Sequence, residues 1–417
     1  MQKELEAMIK QPPRWLWFLL LVWGGIIFLI YLESFLDQLG SPIGSDFYKF
    51  YLSAHRLLSG ESAYWPKDTV VGGAGSLLNE VHSGLHPNLN PPFFNVLMVP
   101  FVVLDYGIAF SLWSVLSVLC GAMGVFLVLK NIWVAPPPAV VVFLVQLVFF
   151  SYYPSFSNFN YGQVAFFIFF ILALALNFCN TGKKITGGIL IGLAASIKLF
   201  CGFFILMLFF AKSWRAFFAS ALTVAVFALV GAALGGVESY LQYFSMLKTI
   251  DWYGVNWNAS YTGFFYRILS FEYGFGWESA RGAWVQSANI LTVLVAAYLS
   301  FQIASEVEKN QFNGFFALAV PLMLIISPLG WSYYFPLLFL VFPKLLEEVR
   351  CRGWGLPVMV FFLGLSITFL RIGLVIFDGL GAEGWHMNLL FYGLFLVVLA
   401  VVSMSYKSMD VKNKFEG

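Results

Sequence analysis

Apolar runs nearly long enough to cross a bilayer constrain this chain more than any other feature. Residues 15–31, 217–233 and 388–404 are almost unbroken in apolar side chains, and a helix of roughly 20 such residues spans the hydrocarbon core. Backbone polar groups in hydrocarbon must be satisfied inside the segment, which a helix does. Of the 417 residues, 60% are hydrophobic and 11% charged, less than half the charge of an ordinary soluble domain, which is about 25%. A soluble enzyme is excluded. The net charge of +2, with Lys and Arg scattered beside apolar runs, offers no basic face for nucleic acid. The fold class expected is all-α, a polytopic helical membrane protein forming one integral domain over residues 1–417.

Charge sets the expected orientation. Lys3, Lys10 and Arg14 precede the first run and no small-residue cleavage site follows Tyr31, so that run is expected to stay as an uncleaved helix. Cytoplasmic loops collect Lys and Arg, which assigns the N-terminus, Lys130, Lys183, Lys184, Lys212, Arg215, Lys309, Arg350, Arg352 and the 407–414 tail to the inside. Alternation then works if residues 108–129, 139–150, 164–178, 217–235, 288–304, 315–326, 335–349, 356–377 and 388–406 each cross once. Between Lys184 and Lys212 the ends of one apolar stretch both look cytoplasmic, so residues 185–211 are expected to go out and back as a broken-helix hairpin. Its tip is Lys198, the only charged residue in the stretch. Each half has 13 residues, short of a full span at about 1.5 Å per residue, which places the tip beside an outward cavity. With the first helix and the hairpin the expected total is twelve crossings. Residues 92–104, short and bounded by proline, are expected to insert only partly. The cysteines at 120, 179, 201 and 351 form neither a CxxC pair nor a disulfide framework.

Two outward loops are long, residues 32–90 and 236–287, and long loops on a helical scaffold usually carry function. In the first, Phe47, Phe50, Tyr51, Ala54, Leu57 and Leu58 form a stripe of helical period behind Ser45 and Asp46. An amphipathic helix over 45–59, lying on the membrane, is expected, with Lys49, Ser53 and Arg56 on its other face and Gly60 as its stop. Asp46 in the first turn reads two ways: Ser45 or Asp46 caps the helix and complements its dipole, or the carboxylate is a general base for a hydroxyl. Glu80, His82 and His86 are donor types for a metal, but no helix fixes the histidines on one face. The second loop offers Glu238, Asp251, Asn256, Asn258, Ser260 and Arg267 among Trp and Tyr residues. Aromatics beside polar groups suit a sugar face, and equally an interfacial belt.

Taken in order, these residues resemble glycosyltransferase family 87, membrane enzymes of the GT-C fold that use polyprenyl-phosphate sugars. The resemblance starts at Ser45-Asp46-Phe47-Tyr48 and runs through Tyr51, Ala54, Arg56, Leu57, Leu58, Gly60 and Tyr64. It continues at Asn90-Pro91-Pro92 with Pro100, at Gly162-Gln163-Val164, and at Gly188 and Gly192-Leu193-Ala194 leading to Ile197-Lys198 before Ser213-Trp214-Arg215. Asn258-Ala259-Ser260 with Gly263 and Arg267, and Ser327-Pro328-Leu329-Gly330-Trp331, complete it. The chain departs from the family where acidic and His residues usually follow that tryptophan: Ser332, Tyr333 and Tyr334 stand there. Ala165 and Ala259 also replace the usual Asn and Gln.

The resemblance implies an inverting transfer. Asp46 would be the general base, taking the proton of an acceptor hydroxyl on a lipid or glycan as that oxygen attacks the anomeric carbon. Lys198, Arg267, Tyr333 and Tyr334 would hold the donor phosphate, where charge develops on the leaving group. Lys49, Arg56, Gln163, Asn258, Ser260 and Trp331 are candidates for sugar and acceptor. Neither long outward loop has an Asp-x-Asp pair, so metal independence and no cofactor are expected. The location implied is a bacterial inner membrane with the site facing the periplasm or exterior. A transporter or flippase of lipid-linked sugars, and a non-catalytic polyprenyl-phosphate binder, are the rival readings; a buried lysine suits all three.

Overall fold

The computed structural model describes residues 13–40, 45–65, 71–72, 81–82, 86–133, 136–271, 277–369 and 388–415. Its helices in chain order are α1 (Arg14–Gly40), α2 (Asp46–Leu58), α3 (Pro92–Val102), α4 (Tyr106–Lys130), α5 (Ala139–Ser151), α6 (Tyr153–Asn160), α7 (Ala165–Asn180), α8 (Lys184–Ile197), α9 (Gly202–Phe210), α10 (Trp214–Gly235), α11 (Glu238–Leu247), α12 (Tyr261–Phe271), α13 (Trp277–Gln302), α14 (Ala304–Glu308), α15 (Asn313–Ile326), α16 (Phe342–Arg352), α17 (Leu356–Phe369) and α18 (Leu389–Phe415). Between α2 and α3 lies a two-residue antiparallel ladder, Val71–Gly72 with Val81–His82.

The chain is an all-α polytopic membrane protein. Among the described residues α1, α4, α10 and the Gly282–Gln302 part of α13 are long and apolar enough to cross a bilayer. Their outer faces show why they need lipid: Phe18, Leu21, Phe28, Leu222 and Leu229 are exposed, and apolar surface of that extent is not stable against water. The twelve crossings expected from charge do not appear as twelve full-length helices. The 139–150 segment joins α6 through a 66° bend at Tyr152 and Pro154, where the proline ring cannot continue the preceding ladder. The 335–349 segment splits into a 3-10 helix, Ser332–Val341, and α16, with Pro336 and Pro343 near the join. Residues 370–377 of another expected crossing, Lys3, Lys10 and Glu80 lie outside the described residues.

Packing brings the polar breaks together. At the centre α15 is buried over residues 314–325, as expected of a helix apolar on every side. A methyl group on Gly188 would strike the backbone of Ala216, and one on Gly192 that of Ser220, so α8 and α10 run parallel with their backbones close, a contact only small residues permit. The chain between them therefore turns at Lys198 and comes back through α9. About 21 Å from Lys198, at the other end of α8, Lys184 donates to Glu308 O (3.0 Å) and Arg350 donates to Ile132 O (3.1 Å). Basic residues thus gather at the end opposite Lys198.

Phe47, Phe50, Tyr51 and Ala54 of the stripe on α2 are buried against protein, while Leu58 at its end is exposed. Phe47 packs at 5.4 Å from Trp113, Phe50 at 4.9 Å from Phe94, and Tyr51 at 5.4 Å from Tyr106. The 92–104 segment, expected to insert only partly, forms α3, which lies against both α2 and α10, with Phe93 stacked on Phe227 at 4.3 Å. Protein aromatics supply the apolar partner that a bilayer would otherwise have given.

Candidate active site

Asp46 begins α2, yet it is not the cap. Ser45 is, its Oγ accepting from Tyr48 N at 3.1 Å. The amides of Asp46 and Phe47 donate instead to Tyr161 O, at 2.7 and 3.3 Å. That contact needs Gly162, whose φ of +63° suits glycine and whose missing side chain leaves room for Phe47 Cβ. Trp113 Nε1 holds the same turn through Gly162 O at 2.9 Å. The next residue, Gln163, therefore meets Asp46: its Nε2 donates to Asp46 Oδ2, and Lys49 pairs with Asp46 Oδ1 one turn along the helix. Tyr334 donates to Gln163 Oε1 at 3.5 Å, so a side-chain relay runs from the 3-10 helix to the carboxylate.

Lys198 is the hinge between α8 and α9, extended in backbone and 8% exposed. Its Nζ donates to Asn90 Oδ1 at 2.6 Å and lies 5.7 Å from the centre of the Tyr334 ring, within cation–π range. Asp46, Lys49, Gln163, Lys198, Trp331 and Tyr333 line one cavity of about 490 Å³, together with Asn256, Trp252 and Trp257. His86 lies at its edge with its ring 4.6 Å from that of Trp252. A second cavity of about 270 Å³ shares Leu89, Lys198 and Trp331 with the first and is otherwise walled by groups such as Leu199, Phe200, Leu247, Ile250 and Leu329. Lys198 thus stands at the seam between a polar chamber and an apolar one.

Five residues singled out in the sequence do not line the cavity: Tyr334, which reaches it only through Gln163, and Arg56, Asn258, Ser260 and Arg267. Arg56 pairs with Glu61 at 2.9 Å and donates to Ser62 O at 2.7 Å. Asn258 ties two loops: its Nδ2 donates to Tyr253 O and Pro328 O, and its Oδ1 accepts from Gly330 N and Ser260 Oγ. Arg267 is buried behind these loops, donating to Asn388 Oδ1 (2.8 Å), Val255 O (2.7 Å) and Asn258 O (3.0 Å). Burial lowers its guanidinium to about 10, which leaves it charged at neutral pH. These contacts hold Trp331 at the cavity wall, through the bridge between Asn258 and Trp331. Conversely, Asn90 carries a contact that its place in a motif did not reveal, and Trp252 and Trp257 were hidden among the aromatics of a long loop, beside Asn256, which the sequence did offer. Among the described residues no three His, Cys, Asp or Glu side chains converge as metal ligands do.

A carboxylate flanked by hydrogen-bond donors, with a buried ammonium in the same chamber, suits proton removal beside an anionic leaving group. Residues 88–328 match the family described as Glycosyltransferase family 87. The chain is similar to the polyprenol-phosphate-mannose-dependent alpha-(1-2)-phosphatidylinositol pentamannoside mannosyltransferase of Mycolicibacterium smegmatis, 25% identical over 302 residues that cover 68% of this chain and 70% of that protein. No solved structure matches.

Proposed function

Since this chain belongs to glycosyltransferase family 87 and is a membrane glycosyltransferase, we propose that it transfers mannose from polyprenyl-phosphate mannose to a hydroxyl of a lipid or glycan acceptor, with Asp46 as base and inversion at the sugar. The observation that carries this reading is that Asp46 and Lys198 face one cavity. The acceptor oxygen bonds to the anomeric carbon while its proton passes to Asp46, and the bond from that carbon to the phosphate oxygen breaks. Polyprenyl phosphate leaves with added negative charge, which Lys198 stabilises with Lys49 nearby. Gln163, held by Tyr334, fixes the carboxylate; Trp331 and Tyr333 bear on the sugar. The apolar second cavity takes the first isoprene units, which puts the phosphate at the seam. Arg56, Asn258, Ser260 and Arg267 hold loops. A lipid monophosphate needs no divalent clamp, so no metal takes part.

The gathering of Lys184, Lys130 and Arg350 at the far end supports a cytoplasmic far end and an outward-facing site in a bacterial inner membrane. Phenols at Tyr333 and Tyr334, where the family usually has acidic and His residues, favour a second reading, a polyprenyl-phosphate binder without catalysis. Reconstituted protein given polyprenyl-phosphate mannose, a lipid extract and EDTA separates the two by mass spectrometry. Transfer by the wild type that is lost in Asp46→Asn is expected. Transfer that persists in the variant would remove Asp46 as base, and donor binding without transfer would select the binder.

A further inference from the structure

We propose that Asn90 is a positioning residue that holds the Lys198 ammonium with a neutral oxygen, so that the full charge of this cation remains available to the donor phosphate. The proposal rests on the reading of the cavity given above. Asn90 is fully buried, and almost everything around it fixes its position. Tyr64 donates to Asn90 O at 2.8 Å, Asn90 N donates to Asn88 Oδ1 at 3.0 Å, and Asn88 Nδ2 is anchored on Asn95 Oδ1 at 2.7 Å. The amide oxygen that results is aimed at Lys198 Nζ from 2.6 Å. An ammonium has three donors; one goes to Asn90, the Tyr334 ring takes up part of the charge, and the remainder is directed to the seam where both cavities meet.

Folding alone argues for a carboxylate at this position. Asn90 Nδ2 is buried without a partner among the described residues, and a buried orphaned donor is a cost. Aspartate would have no such donor and would pair with the buried cation. It would also cancel the charge of Lys198. The neutral amide orders the ammonium without pairing it to a carboxylate, and Asp46, the anion of the same cavity, is already paired with Lys49.

The test compares full-length wild type, Asn90→Asp and Asn90→Ser in nanodiscs for binding of undecaprenyl phosphate and of uncharged undecaprenol. Asn90→Asp is expected to weaken the phosphate about tenfold or more with undecaprenol unchanged, and Asn90→Ser, which stays neutral, to lose less. In a Lys198→Gln background Asn90→Asp should cause little further loss. Equal losses for both lipids, or a larger loss in Asn90→Ser than in Asn90→Asp, would overturn the proposal and leave Asn90 a structural residue. Because binding is read directly, the result stands apart from whether the wild type transfers sugar: absent transfer with the expected lipid discrimination would sink the catalytic reading and keep this one. Where the wild type is active, Asn90→Asp should raise KM for the donor more than it lowers kcat.

Discussion

Asp46 and Arg267 show how differently two charged residues can be used in one fold. Asp46 keeps its carboxylate out of the helix cap because Ser45 fills that role, and it faces the cavity beside Lys49 and Gln163. Replacing it with Asn should lower the transfer rate by about 10² to 10⁴, the usual range for a general base, with little change in thermal stability; single-turnover assays and melting in detergent check both. Arg267 makes the opposite prediction. Arg267→Ala leaves Asn258 O and Asn388 Oδ1 without their buried donor and Val255 O with the Asn258 amide alone, at a cost of about 1–3 kcal/mol. A lowered melting temperature should precede any specific kinetic change, and a stable, inactive variant would show that Arg267 touches the substrate after all. The sequence presents both residues as members of similar motifs, and nothing local distinguishes a charge that faces a cavity from one that ties carbonyls.

At the scale of elements, two close approaches position the site. Gly162 lets the Tyr161–Gly162–Gln163 turn touch the start of α2. Gly162→Ala must accept a left-handed backbone, costing about 1–2 kcal/mol, and push against Phe47. Transfer should fall although Asp46 and Gln163 are intact; unchanged rates would mean that the turn is free to adapt. Gly192 performs the equivalent task between α8 and α10, where Ser220 and Thr223 leave no room for a side chain. Gly192→Val should destabilise the protein by about 1–3 kcal/mol and displace Lys198, read as a lower melting temperature together with weaker undecaprenyl phosphate binding. The helices themselves were legible: Ser45 and Gly60 bracket α2 almost to the residue, and the apolar runs mark α1, α4 and α10. What covers α2 was not, because an apolar stripe looks the same whether lipid or Phe94 and Trp113 lies against it.

For the molecule as a whole, the distribution of basic residues makes a prediction about sidedness. Cys351 is exposed on α16 beside Arg350 and Arg352, at the end opposite the cavity. A membrane-impermeant maleimide should label it in inside-out vesicles and spare it in right-side-out ones, while a cysteine placed at Glu61 should behave in reverse; the opposite pattern would turn the site to the cytoplasm. Hydropathy, helical periodicity and motif order determined that the chain is a helical membrane protein, that it resembles its family, and that Asp46 and Lys198 deserved notice, because each of these is written in neighbouring residues. Which polar groups share a chamber was decided by tertiary structure alone. Gln163 reaches Asp46 across 117 positions, Tyr334 reaches Gln163 across 171, and Lys198 reaches Asn90 across 108. Contacts over such separations depend on how α2 packs on α3, how α3 and α8 pack on α10, and how the 3-10 helix packs on α15, and packing is a property of facing surfaces that no single stretch of sequence contains.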